Sequence, residues 1–122
     1  MAEKRKALVV DDTAFHSDFL KMFLKMKHFD VTVATDGLQA MALCRKENYD
    51  LVFSDIEMPN MNGIELLRSL KRMTSYAKTP VIMLSTLDND EMKSKAAVLG
   101  AFAYVVKPFN SQKMDDLFAR LG

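Results

Sequence analysis

Five short apolar runs, each followed by a segment of helical period, set the tightest limit on what this chain can fold into. The runs are Ala7–Val10, Val31–Ala34, Leu51–Ser54, Val81–Ser85 and Ala103–Val106. Three of them are apolar almost throughout, as in strands covered on both faces. Val31-Thr32-Val33 is the most polar, which suits a sheet edge. Between the runs, Phe15, Phe19, Met22, Phe23 and Met26 recur at spacings of four and three, predicting a helix with that stripe inward. Leu38, Met41, Ala42 and Arg45 form a shorter stripe. Further stripes are Ile64, Leu67 and Leu70; then Met92, Ala96 and Leu99, closed by Gly100 as a helix C-cap; and finally Met114, Leu117, Phe118 and Leu121. Helix starts are read at Asp90 and at Asn110 or Ser111. Strand–helix alternation of this kind predicts an α/β fold, a parallel sheet with helices on both faces.

The 122 residues leave room for one domain, spanning 1–122, with no low-complexity stretch or composition shift inside it. Seventeen basic against sixteen acidic residues give +1, so nothing supports bulk binding to nucleic acid or to an acidic membrane surface. The lone cysteine, Cys44, cannot form an internal disulfide, which fits a reducing cytoplasm. It is read as a small buried hydrophobe. Lys4-Arg5-Lys6 is read as a solvated tail, and no apolar stretch approaches the length of a membrane span or follows the basic start as a signal core.

Right-handed crossovers align the strand ends that precede helices along one rim, where open sheets of this class bind ligands. Asp11 and Asp12 follow the first run, Asp55 the third, Ser85 and Thr86 the fourth, and Lys107-Pro108 the fifth. Taken singly, each aspartate or Ser85 can serve as a helix cap, and Lys107 as a surface residue. Taken together, carboxylates about 5 Å apart repel by about 3 kcal/mol at an effective dielectric near 20. A hard dication such as Mg²⁺ removes that penalty. An aspartate beside Mg²⁺ and a lysine is also a competent nucleophile toward a phosphoryl group.

Val9-Val10-Asp11-Asp12, Ser54 to Gly63, Leu84-Ser85-Thr86 and Tyr104 to Phe109 resemble the receiver domains of bacterial two-component response regulators. The stand-alone chemotaxis type is the nearest in pattern. The resemblance covers essentially the whole chain. It implies a three-layer, doubly wound, flavodoxin-like five-stranded sheet of order 2-1-3-4-5. It further implies Asp55 as phosphoacceptor from a histidine kinase, with Ser85 and Lys107 completing the catalytic set. Mg²⁺ would be held by Asp12, Asp55 and the Glu57 backbone carbonyl, with Asp11 acting through a bound water. Ser85 and Tyr104 would be the switch residues, although half-buried packing competes as the role of Tyr104. Lys107-Pro108 would be a cis peptide.

Departures from the commoner pattern are Asn62-Gly63, read as a turn; Thr86, which narrows access to the phosphoryl group; and Glu57, which lies on the path of attacking water. Glu57 and Thr86 together are expected to alter the lifetime of the acyl phosphate. Phe15 is a candidate partner contact near the rim. The other phenylalanines of the first helix and the methionines are read as core, and His16 and His28 as surface.

The function implied is a phosphorylation-dependent signalling switch rather than an enzyme, catalysing only its own phosphorylation and slow dephosphorylation. Its partners would be a sensor histidine kinase or histidine phosphotransfer domain and a protein target, such as the flagellar motor switch. The target would dock on the fourth helix, fifth strand and fifth helix. Because the chain stops at Gly122, the output is expected to lie in a partner, and a monomer is expected. The alternative is a phosphorelay carrier passing phosphate from Asp55 to another histidine. An aspartate-nucleophile phosphohydrolase needs Asp-x-Asp, which Asp11-Asp12-Thr13-Ala14 does not supply. A dinucleotide- or nucleotide-binding module needs a glycine-rich loop after a strand, and none is present.

Overall fold

A computed structural model describes residues 4–121. Met1–Glu3 and Gly122, the ends of the span read as one domain, lie outside the described residues. The elements run β1 (Lys6–Val10), α1 (Ala14–Met26), β2 (Asp30–Ala34), α2 (Gly37–Lys46), β3 (Leu51–Asp55), α3 (Gly63–Arg72), a 3₁₀ turn (Thr74–Tyr76), β4 (Val81–Ser85), α4 (Asp90–Val98), β5 (Ala103–Val106) and α5 (Ser111–Leu121). All strand pairs are parallel and the order is β2-β1-β3-β4-β5, as the resemblance implied. The polar β2 is an edge strand, whereas β3 and β4 are buried along their whole length.

The helices divide between the two faces. Leu8, Val10, Val52, Val81 and Met83 point to a core closed by α2, α3 and α4, through residues such as Ala40, Met41, Leu66, Leu67 and Ala96. The alternate residues, Ala7, Val9, Phe53, Ile82 and Leu84, face α1 and α5 through Leu20, Leu24, Met114 and Leu117. This alternation follows from the two-residue period of a strand. No helix among the described residues is long and apolar enough to cross a membrane.

Two predicted stripes turn only partly inward: Phe19, Phe23 and Met41 meet the core and the rest do not. On α1 the buried residues are Ser17, Leu20, Phe23 and Leu24, while Phe15, Met22 and Met26 are exposed at 79%, 68% and 72%. On α2 the buried face is Gly37, Ala40, Met41 and Cys44, and Leu38 is exposed. Both helices carry two apolar stripes, and their entry angle from the preceding strand decides which one meets the sheet. The methionines split accordingly: Met41, Met83 and Met114 are core, Met22 and Met26 are not. The stripes of α3, α4 and α5 lie as predicted, and Gly100 adopts φ +102° just past α4. Asn89, one residue before the predicted Asp90, caps α4 by accepting from the Met92 N–H.

Lys4, Arg5 and Lys6 are exposed, as read, but two of them are tied to the fold. Lys6 is the first residue of β1 and its Nζ lies 2.6 Å from Glu47, while the Arg5 guanidinium sits 4.8 Å from the centre of the Phe29 ring.

Candidate functional site

The carboxyl ends of β1, β3, β4 and β5 bring the predicted residues to one rim. Asp11 follows β1 directly, and its N–H donates to the Ala34 carbonyl of β2 at 3.0 Å, which continues the ladder by one residue. The side chain is therefore held at the sheet, 1% exposed. One carboxylate oxygen accepts from the Thr13 N–H at 2.8 Å, turning the chain into α1. Asp12, one residue further, projects to solvent. Asp55 ends β3 and is 5% exposed. Carboxylate oxygens of Asp11, Asp12 and Asp55 all lie within 4.8 Å of one another.

Lys107 follows β5 and is 9% exposed. Its N–H donates to the Ser85 carbonyl at 2.8 Å, so the sheet ladder also positions this residue. Nζ then reaches between two carboxylates, 3.3 Å from Asp11 and 3.2 Å from Asp55. The Lys107-Pro108 peptide is cis. One ammonium against three carboxylates leaves the rim negative. Burial is the main reason that Asp55 is pushed up to about 6; the Lys107 charge opposes this and the Asp11 charge adds to it. Hard oxygen donors at this spacing, in excess over the local positive charge, suit a divalent cation of the Mg²⁺ kind.

The loop after β3 is held by packing. A methyl group built on Gly63 would stand 2.1 Å from the Asp55 carbonyl oxygen, so only glycine lets α3 start this close to the acidic residue. Asn62-Gly63 is thus a helix start rather than a free turn. Asn62 caps α3 in a reciprocal box with Glu65. Asn60, at φ 67°, donates its amide to Asp36, the cap of α2, at 2.9 Å. The β3–α3 loop is therefore tied to two helices.

On the other side of Asp55 stands Ser85, fully buried at the end of β4. Its hydroxyl donates to the Glu57 carboxylate at 2.7 Å and accepts from the Leu87 N–H at 3.0 Å. Thr86 is exposed at the rim. Tyr104, half-buried on β5, donates its hydroxyl to the Leu87 carbonyl at 2.7 Å while its ring packs against the core under α4. Phe15 stands outside the cluster on the exposed start of α1.

His16, read from sequence as a surface residue, belongs to the site. Its side chain is 26% exposed, and Nδ1 lies 3.7 Å from the Asp11 carboxylate, buried and without a hydrogen-bond partner. Its ring sits 6.0 Å from that of Phe109. The available signal was its position in the first turn after Asp12, where a helix leaving the rim still faces it. His28 is exposed, beyond the end of α1.

Residues 7–119 match the family described as the response regulator receiver domain. Chemotaxis protein CheY-3 of Vibrio cholerae is 35% identical over 121 residues, which cover 95% of this chain and 93% of that protein. The probable transcriptional regulator ycf29 of Porphyra purpurea is 35% identical over 114 residues, covering 93% of this chain and 54% of that protein. The chain thus spans about half the length of ycf29. The solved chemotaxis response regulator CheY4 of Vibrio cholerae superposes with a TM-score of 0.90 at 31% identity, covering 98% of this chain and 100% of that one. Matched along nearly its whole length in sequence and in fold, the chain belongs to the response regulator receiver domains of two-component signalling.

Proposed function

We propose that residues 1–122 act as one receiver domain, a phosphorylation-dependent switch with Asp55 as the phosphoacceptor. The observation that carries this reading is the buried Asp55 carboxylate, 3.2 Å from Lys107 Nζ and within 4.8 Å of Asp11 and Asp12. Asp12, Asp55 and the backbone carbonyl of Glu57 would hold Mg²⁺ directly, and Asp11 through a water. When bound, the ion neutralises the carboxylate cluster and the charge that builds on the transferred phosphoryl oxygens.

In phosphoryl transfer, an Asp55 carboxylate oxygen forms the new O–P bond as the donor's N–P bond breaks. The electron pair of that bond returns to the donor imidazole. Lys107 Nζ already stands beside Asp55 and pairs with a phosphoryl oxygen. Ser85 donates its hydroxyl to another, which draws the β4–α4 loop inward. Tyr104 reports that movement to the face of α4, β5 and α5. Thr86 and Glu57 border the approach of water to the acyl phosphate and so set its lifetime.

The donor is a histidine kinase or phosphotransfer domain meeting the rim beside exposed Phe15. The output is a protein target of chemotaxis type, such as the flagellar motor switch, bound by a cytoplasmic monomer. A groove lined by Asp88, Tyr104, Val106, Lys113, Asp116 and Leu117 offers it a mixed polar and apolar seat. Phosphorelay from Asp55 to a second histidine would use the Phe15 side alone.

Incubation with acetyl phosphate and Mg²⁺ tests the reading. Covalent label is expected on the wild type, and none after chelation or with Asp55→Asn. Label that persists in Asp55→Asn overturns the assignment.

A further inference from the structure

The hydroxyl of Ser85 has one proton, and in this structure that proton is committed. It goes to the Glu57 carboxylate at 2.7 Å, and because Glu57 is itself exposed to solvent the bond counts as a modest one. Glu57 makes no ion pair among the described residues, so Ser85 is its partner there. The same hydroxyl oxygen accepts from the Leu87 N–H, and the Leu87 carbonyl accepts from the Tyr104 hydroxyl. A continuous hydrogen-bonded path therefore runs from the side chain two residues past Asp55, through the β4–α4 loop, to β5.

We propose that Glu57 is a latch: a positioning residue that holds the Ser85 hydroxyl and the Leu87 segment in the resting arrangement, and that a phosphoryl group must displace. The proposal rests on Asp55 as phosphoacceptor. A phosphoryl oxygen on Asp55 competes for the single Ser85 proton, and its charge repels the Glu57 carboxylate. Both effects open the latch together. Whatever the Glu57–Ser85 bond contributes to the resting state is subtracted from the affinity for a phosphoryl group, by linkage. This differs from an effect of Glu57 on the passage of water, because it acts before any acyl phosphate exists.

The test compares Glu57→Ala, which removes the acceptor, with Glu57→Gln, which removes the charge and keeps an acceptor oxygen. Under chelation and with no phosphoryl analogue, NMR should show the Leu87 amide resonance displaced in Glu57→Ala and closer to wild type in Glu57→Gln. At saturating Mg²⁺, beryllofluoride should bind Glu57→Ala about 3–10-fold more tightly than wild type, the range of one modest hydrogen bond. Glu57→Gln should tighten beryllofluoride binding less than Glu57→Ala does, since the charge is gone but the amide oxygen still accepts from Ser85. An unmoved Leu87 resonance in Glu57→Ala, or unchanged beryllofluoride affinity, overturns the latch. Equal tightening in both variants also overturns it, by assigning the effect to charge alone. A wild type that binds no beryllofluoride defeats the phosphoacceptor reading instead, and the chelated spectra then decide the hydrogen-bonded path separately.

Discussion

Helices α3 and α4 follow neighbouring strands, cover the same face of the sheet and are nearly equal in length, at 10 and 9 residues. Each is capped by an asparagine side chain. Their anchoring is unlike. α3 buries Gly63, Ile64, Leu66, Leu67 and Leu70, whereas α4 buries Ala96 alone. The difference sorts the rim into two halves. Asp55 sits where α3 and Gly63 clamp the backbone, which suits a group that must stay fixed for metal and phosphoryl chemistry. Ser85 and Leu87 lead into α4, and Tyr104 of the following strand packs beneath it, where little apolar burial opposes movement. The caps are alike, but α3 offers Ile64, Leu66, Leu67 and Leu70 to the core where α4 offers Met92 and Ala96, so one helix is a support and the other has little burial to oppose movement.

The largest test of that contrast is in the core of α3. Leu67→Ala should cost about 2–5 kcal/mol in denaturant unfolding, because a fully buried leucine leaves a cavity. A cost below about 1 kcal/mol would remove the claim that α3 anchors the fixed half.

A smaller effect of opposite sign is expected at the acid itself. Asp55→Asn should stabilise the chelated protein by roughly 1–3 kcal/mol at neutral pH, since it removes a buried like charge. The sign follows from the acid's shift from 3.8 to about 6. A folded-state value above the unfolded one favours folding while the acid is protonated. That stability is present below the unfolded value of 3.8 and lost as pH rises through about 6. Thermal melts of chelated wild type should therefore decline across that interval, and those of Asp55→Asn should be flatter. Added Mg²⁺ should narrow the gap. A chelated Asp55→Asn that melts below wild type would show that the cluster is not under electrostatic load.

The smallest effect is expected on α4. Met92→Ala, at a half-buried position, should cost less than about 1 kcal/mol. Amide exchange should be faster in Met92–Val98 than in Leu66–Leu70 of wild type. Equal protection of the two helices would erase the distinction between the halves.

How much of this was legible beforehand varies from one helix to the next. α3 was read correctly because its apolar residues form a single stripe, Ile64, Leu67 and Leu70, with Leu66 beside it. α1 was read only in part: Phe19 and Phe23 of the predicted stripe pack on the core, but Phe15, Met22 and Met26 are exposed and Leu20 and Leu24 are buried instead. Helical period reveals that a helix forms; it does not choose between two apolar faces. The site divides in the same way. Asp11, Asp12, Asp55, Ser85 and Lys107 each stand at the end of an apolar run, so strand–helix alternation alone places them on one rim. His16 and the Glu57–Ser85 bond carry no such mark. The Glu57–Ser85 bond joins residues distant in sequence, and the His16 contact with nearby Asp11 depends on the direction in which the first turn of α1 leaves the rim.

The parallel α/β architecture and the residues at the strand ends follow from the order of residues alone, because apolar period and strand termini are local properties of the chain. The tertiary structure alone decided which face of α1 and α2 turned inward, that Lys6 joined the sheet, that His16 met Asp11, and that Glu57 took the proton of Ser85. These are outcomes of packing and of competition for hydrogen-bond partners, which exist only once the strands have brought their ends together.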